Sequence, residues 1–363
     1  MAEKQAQVQQ WLTQQDGLDN LKRSSAPMPK PGKDEVLVEI KAVSLNYRDT
    51  EVVMGLYNHH KTLGHEAEKP LVPCSDMCGT IVEVGDGPHT VPWEVGDRVL
   101  STFIQTHLSG QIKEADMAHG MGKPLPGVLQ TYRVFPSYGL VRAPAYLTDE
   151  EASCLPIAAV TAWMAINGMR PIGHPGGKGE TVLLQGTGGV SISGLQIAKA
   201  SGAKAIITSS SDEKLQKAKS LSLAPDHVIN YRTNPEWQDE VLKLTDKAGA
   251  DVILETGGAQ TLYKSLDCVA FGGLISCIGY VSGKEDEGSR PNFNLLALRR
   301  NVTLKGIING PRDRFEEMCR FYEEHQIRPV VDRVFSFEEA AEAIKYLFSG
   351  SHFGKVVVRV KEV

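Results

Sequence analysis

The chain has 363 residues, 41% hydrophobic and 23% charged, and at this length it can bury roughly three quarters of its unfolded surface without disulfides or metals. Lys+Arg 39 against Asp+Glu 44 leaves a net charge of −5, which argues against nucleic acid or an anionic membrane as a partner reached by bulk electrostatics. No run approaches the roughly 18 apolar residues of a membrane span. The polar start MAEKQAQVQQWLTQQD has no apolar signal core, so a cytoplasmic location is expected. Six scattered cysteines fit reduced thiols, and Cys154 and Cys277 read as packing residues.

Residues 1–31 are polar and end in PMPKPG, a proline-rich lead-in or surface strand. VLVEIKAVSLN (36–46) is β-branched and partly alternating, and GTIVEVG (79–85) repeats the pattern. Short β-rich pieces broken by glycine and proline continue to about residue 145 and predict a barrel-like β domain. Residues 105–127 have little periodicity and several Gly, His and Met; a long mobile loop is expected there. The texture changes at Thr148-Asp-Glu-Glu, a helix-start signal. From Glu180, short apolar strands alternate with amphipathic helices: TVLLQG, a helix over 190–201, KAIITSS, a helix over 212–221, DHVINY, DVILETG and GGLISCIGY. That order predicts an α/β fold with a doubly wound parallel sheet. Two helical patterns follow residue 310, and HFGKVVVRV is a last strand long enough to return to the first domain. The expected division is therefore 1–150 with 311–363, and 151–310.

The strongest local signal is the strand TVLLQ running into Gly186-Thr187-Gly188-Gly189-Val190-Ser191 and straight into a helix. In that setting glycines allow a tight turn and close backbone approach, and the helix start faces a pyrophosphate. Ser191 stands where the G-x-G-x-x-G pattern has its third glycine. A ligand-free βα turn is the bland alternative, and the βα-type units downstream weigh against it. At the end of the next strand an acidic residue would hold the ribose of NAD. Here Ser209, Ser210 and Ser211 offer hydroxyls, with Lys214 one helical turn on. Hydroxyls plus a lysine suit a 2′-phosphate, so NADPH is the expected cofactor. Asp212 is the reservation, unless it turns away from that position.

GDRV (96–99), LPIAAVTAW (155–163), the Gly186 turn, ADVILETGG (250–258) and HFGKVVV (352–358) occur in this order. Together they resemble the medium-chain dehydrogenase/reductase superfamily. Within it the chain looks like the zinc-free quinone oxidoreductase-like branch, particularly its fungal "zinc-type alcohol dehydrogenase-like" members. The resemblance implies a Rossmann domain beside a β-rich, GroES-like catalytic domain, and it leaves 1–31 and 105–127 unexplained. It also sets a test for zinc. Gly64-His65-Glu66 invites the G-H-E-x-x-G-x5-G pattern of zinc-dependent relatives, but Lys69 stands where the next glycine belongs. Counting back from Gly79 and Gly85 puts Cys74-Ser75-Asp76 at those positions. The three family ligand positions then hold Asn46, Ser75 and Ala158, none of them a zinc donor of the usual N or thiolate type. An improvised set from His59, His60, His65, Glu66, Cys74 and Cys78 competes with the commoner case of histidines and cysteines that bind nothing. No metal is expected.

Asn46-Tyr47-Arg48-Asp49 resembles the N-x-x-D stretch of the metal-free branch, and Gly55-Leu56-Tyr57 its G-L-Y. The resemblance implies catalytic roles for Asn46 and Tyr57 as donors to cofactor or substrate oxygens, with Asp49 orienting the Asn46 loop. It places Thr161, Gly279 and Tyr280 at the nicotinamide, Tyr231 near the adenosine, and Phe353 and Lys355 closing on the cofactor; a packing role is the alternative for each. Hydride delivery to an electron-poor carbon suits such a donor set better than oxidation of an unactivated alcohol. The expected function is NADPH-dependent reduction of an α,β-unsaturated carbonyl or a quinone, in a cleft between the domains with 105–127 as a lid. Two alternatives stay open: a zinc-independent carbonyl reductase or alcohol dehydrogenase on an activated substrate, and a non-catalytic NADPH-binding relative. A small-molecule substrate is the expected partner, and a homodimer through the strand after Gly273 follows by analogy.

Overall fold

A computed structural model describes residues 7–58, 70–283, 285 and 292–361. The chain divides into two compact units, residues 1–158 with 311–363 and residues 159–310. In chain order the first unit begins with strands β1 (Gln7–Leu12) and β2 (Lys22–Pro27), β3 (Glu35–Leu45), helix α1 (Tyr47–Val53), β4 (Asp76–Val84), β5 (Arg98–Ser101), β6 (Tyr132–Pro136), β7 (Leu140–Arg142) and helix α2 (Asp149–Ser153). The second unit holds α3 (Val160–Asn167), β8 (Thr181–Gln185), α4 (Gly189–Ala200), β9 (Lys204–Ser209), α5 (Asp212–Lys219), β10 (His227–Asn230), α6 (Trp237–Leu244), β11 (Ala250–Glu255), α7 (Leu262–Cys268), β12 (Val269–Cys277), α8 (Phe293–Arg300) and β13 (Thr303–Gly306). The chain then re-enters the first unit with α9 (Arg312–His325), β14 (Val331–Ser336), α10 (Ala340–Phe348) and β15 (Lys355–Arg359).

The second unit is the doubly wound half of the α/β fold. Its six strands run in the order β10-β9-β8-β11-β12-β13, and every pair is parallel. Central strands such as Val182-Leu183-Leu184 are buried throughout, as expected of strands with helices over both faces. In the first unit a mixed sheet runs β14-β15-β3-β4-β5-β7, with β6 also on β3. Its apolar side chains, among them Ile40, Met77, Phe135 and Leu140, form one cluster. β15 pairs antiparallel with β3, Val356 opposite Leu45, so residues from the far end of the chain lie beside the turn that follows β3.

Three segments gain definition from the structure, the first of them within the lead-in or surface strand expected of residues 1–31. The polar N-terminal stretch forms an antiparallel pair, β1 with β2, anchored by Trp11, whose indole donates to the Phe337 carbonyl at 2.9 Å. The 105–127 stretch, expected to be a long mobile loop, is irregular as expected, with buried ends and exposed residues at 108–111 and 113–115. Met121 is wholly buried, Thr106 donates to Asp116 at 2.9 Å, and the His107 and Leu108 carbonyls accept from the first amides of α9. It looks aperiodic because single turns and isolated bridges order it, and these leave no repeating pattern. β14 was not anticipated, because its side chains are largely exposed; only parallel pairing with β15 defines it.

Candidate functional site

In the second unit β8 ends at Gln185, and the chain turns through Gly186 at φ +78°, a left-handed conformation that favours glycine. A Cβ at Gly186 or Gly188 would meet open space, so the turn exposes backbone, as a phosphate cradle requires. Gly189 and Val190 open α4, Thr187 is buried, and the Ser191 hydroxyl donates back to the Gln185 carbonyl at 2.6 Å. Close helix–sheet packing falls on Gly194, whose Cβ would lie 2.7 Å from Leu254 and 2.8 Å from Leu184. Gln185 then ties this turn to the next loop: its amide oxygen accepts from Thr256 and Gly257, and its nitrogen donates to Glu255 at 2.8 Å. Buried Glu255 also accepts the Gly257 and Gly258 amides, each at 3.0 Å. Gly279 and Tyr280 lie against this same loop. Thr161 is buried and accepts from the Asn309 amide at 3.3 Å. Gln185 and Glu255 were not singled out from sequence, since their role depends on pairing between separate strands.

At the adenosine end, Asn230 lies opposite Ser209 in the β9–β10 register, and the Tyr231 amide donates to the Ser209 carbonyl at 3.0 Å. Ser211, next to Ser210, caps α5 by accepting from the Lys214 amide at 3.3 Å. The Asp212 carboxylate accepts from the Asn230 amide at 2.7 Å, so its charge is spent on β10. Exposed Arg232 follows Tyr231, and its backbone amide donates to Asn230 Oδ1 at 2.9 Å.

The first unit gathers Asn46, Asp49 and Lys355, with Arg48, Tyr57 and Asp76 around them. β3 hands over to α1 at Asn46. Asp49 is wholly buried; one oxygen accepts the Asn46 backbone amide at 2.8 Å and the other Arg48 Nη1 at 3.1 Å. Lys355 Nζ donates to Leu45 O and to Asn46 Oδ1, each at 2.7 Å. Buried Asp76 accepts the Ser75 hydroxyl at 2.8 Å and the Ile157 amide at 3.0 Å, and faces Lys355 electrostatically. Two carboxylates thus share a buried site with two cations. Burial pushes the Asp49 carboxyl up to about 6 against the pull of Arg48, and raises Asp76 against that of Lys355. The Tyr57 ring lies 4.7 Å from the Arg48 guanidinium carbon and packs on Val52 and Leu71. Phe353 and Ala158 are buried.

Lys355 was expected at the cofactor; two of its three N–H groups are committed to Leu45 and Asn46. Among the described residues no three His, Cys, Asp or Glu side chains gather to hold a metal ion. His59, His60, His65 and Glu66 lie outside the described residues. The Asn46 oxygen is engaged by an ammonium, the Ser75 hydroxyl by Asp76, and Ala158 offers a methyl group.

Comparison with known proteins places this geometry in a family. The profile described as Alcohol dehydrogenase GroES-like domain matches residues 32–145, and the one described as Zinc-binding dehydrogenase matches residues 189–324. A zinc-type alcohol dehydrogenase-like protein of Schizosaccharomyces pombe is 40% identical over 95% of this chain and 96% of its own length. The chain belongs to the medium-chain dehydrogenase/reductase superfamily. Among other superfamily members, an acryloyl-coenzyme A reductase of Sulfurisphaera tokodaii is 31% identical over 93% of this chain and 96% of that protein. The crystal structure of an NAD-dependent alcohol dehydrogenase superposes with a TM-score of 0.83 at 30% identity, covering 98% of this chain and 100% of that one. Relatives in the superfamily bind nicotinamide cofactors, and the chain is an oxidoreductase of this kind. Among the described residues no helix is long and apolar enough to cross a membrane.

Proposed function

We propose that this protein uses NADPH to reduce an α,β-unsaturated carbonyl compound or a quinone, and that it does so without a catalytic metal. The observation that carries this reading is the Lys355 ammonium, 2.7 Å from Asn46 Oδ1, a fixed cation at the first of the three family ligand positions. Zinc binds thiolate, imidazole or carboxylate donors. An amide oxygen held by an ammonium, a hydroxyl held by Asp76 and a methyl group are not that set, so these residues do not fit zinc. Oxidising an unactivated alcohol means removing a proton of pKa roughly 16, which a metal makes accessible. Hydrogen-bond donors suffice where charge spreads through a conjugated system onto an oxygen. The relative named acryloyl-coenzyme A reductase points to the same class of conjugated acyl substrate.

The Gly186, Thr187, Gly188, Gly189 and Val190 turn would hold the pyrophosphate. Ser209, Ser210 and Lys214 would hold the 2′-phosphate with Tyr231 beside it, and Thr161, Gly279 and Tyr280 would line the nicotinamide. The bound dinucleotide supplies hydride. Asp212 turned onto Asn230 favours a phosphate over a bare ribose. In the first unit Asn46 and Tyr57 donate to the reacting oxygen, Asp49 orients the turn, and Lys355 with buried Phe353 secures it. Six unpaired cysteines suit a reducing, cytoplasmic setting.

The decisive experiment follows NADPH consumption over enones, quinones, aldehydes and ketones, with products identified and zinc measured on the same preparation. Reduction of C=C bonds or quinones by zinc-poor protein is expected. Efficient oxidation of simple alcohols with the conjugated panel untouched, or one zinc per chain on which activity depends, would refute the reading. The names of the 40% identical relative and of the solved alcohol dehydrogenase favour a second reading, carbonyl reduction on an activated substrate. An allylic alcohol as the product of an enone would select it.

A further inference from the structure

Arg48 has no role in the sequence reading, yet its side chain is only 10% exposed and unusually constrained. Nη1 donates to Asp49 at 3.1 Å, and the guanidinium carbon lies 4.7 Å from the Tyr57 ring centre and 4.8 Å from that of Phe103. One corner is thus pinned by a carboxylate, and aromatic rings pack against the group. The opposite edge, Nε and Nη2, is buried with no partner at hydrogen-bonding geometry, and the Tyr57 phenol is the polar group that faces the guanidinium. Asn46 lies in the same buried cluster: Lys355 holds its Oδ1, which fixes the amide, and its Nδ2 faces the Asp76 carboxylate.

A buried donor without an acceptor is costly to the fold, and such a group in a native structure calls for a functional explanation. Balancing the Asp49 charge needs Nη1 alone. The free edge is arginine's side-on fork, which matches two oxygens of one carboxylate or the two lone pairs of one anionic oxygen. What these donors lack is an acceptor oxygen.

The geometry points to Arg48 as a catalytic residue whose Nε–Nη2 edge receives the substrate oxygen on which negative charge develops. The inference rests on the proposed reduction of a conjugated carbonyl. There a C–H bond forms at the β-carbon with hydride from the reduced nicotinamide, and the C=C electron pair shifts so that the carbonyl oxygen becomes an enolate. A solvent proton later completes the α-carbon. Arg48 stabilises the enolate stage, with Asn46 Nδ2 beside it.

Two variants separate charge from shape: Arg48→Lys keeps the charge and loses the fork, and Arg48→Met keeps bulk between the rings and loses both. On an enone that the wild type reduces, kcat/KM is expected to fall about 10²–10³-fold in each, mostly through kcat, with the NADPH Kd unchanged. A second arm titrates acrylate, a planar conjugated carboxylate, into the NADPH-loaded protein by calorimetry; it should bind the wild type and bind each variant at least tenfold more weakly. A wild type inactive on every conjugated compound removes the proposed function, and the acrylate arm still judges Arg48. Should Arg48→Met fail to fold, Arg48→Lys decides. Turnover within twofold of wild type, no acrylate binding by the wild type, or equal binding by variant and wild type overturns the inference.

Discussion

Asp49 shows two opposing terms in one side chain. Burial lifts its carboxyl from 3.8 to about 6, while Arg48 and the Asn46 amide pull the other way. A carboxyl with a raised folded pKa favours the fold while protonated, below its unfolded pKa, and loses that contribution as pH rises through the folded value. Asp49→Asn stays neutral throughout. The stability advantage of wild type over Asp49→Asn should therefore shrink by about 3 kcal/mol between pH 3.5 and pH 7, read by urea unfolding of both proteins at matched pH. A difference that stays flat would show that the carboxylate is not disfavoured by its site. Lys214 is tested by the cofactor. Removing a charge-assisted contact to phosphate costs roughly tenfold or more, so Lys214→Ala should raise the NADPH Kd about tenfold and leave the NADH Kd within twofold, by fluorescence titration. Asn46 and Tyr57 became candidates through the family resemblance, and the Gly186 turn through its strand–glycine–helix pattern, because those residues sit in short contiguous motifs. Arg48 did not, because its significance is an unpaired edge, and nothing in a string of letters shows which donors lack acceptors.

The helices and strands were legible where burial was periodic. β8, β9 and β11 read as short apolar runs, and α4 and α5 lie within a few residues of their expected spans. The order within the 105–127 segment and β14 were not legible, since irregular hydrogen bonds define the one and an edge pairing the other. The α4–sheet contact gives a prediction at this scale. At Gly194 a methyl group would sit 2.7 Å from Leu254 and 2.8 Å from Leu184, so added bulk must push the helix off the sheet. For Gly194→Ala the helix-propensity gain of about 1 kcal/mol offsets much of the crowding. Gly194→Val brings more bulk without that gain and should destabilise by about 2 kcal/mol or more, seen as a lowered urea midpoint. A Val variant as stable as wild type would mean the helix is not seated this closely.

For the molecule as a whole, the strand after Gly273, expected as the pairing edge, is β12 and is already paired on both sides; the second unit's sheet ends instead at β13, an edge strand with Leu304 exposed. Phe271 on β12 is 76% exposed and Leu298 on α8 is 77% exposed. An open edge strand that carries an exposed apolar side chain tends to pair, and we propose a second copy of this chain as the occupant. Light scattering on the eluting protein should give twice the chain mass, and Leu304→Lys should shift it toward monomer with NADPH binding retained; a wild-type monomer at micromolar concentration rejects the pairing. The sequence alone determined the α/β class and the glycine turn between β8 and α4, because each depends on neighbours within a few positions. Tertiary structure alone decided what surrounds Asn46. Lys355 reaches it from 309 residues away, and Asp49 pins Arg48 so that one fork of donors is left over. Contacts of that kind arise from strand pairing and burial, which no local pattern encodes.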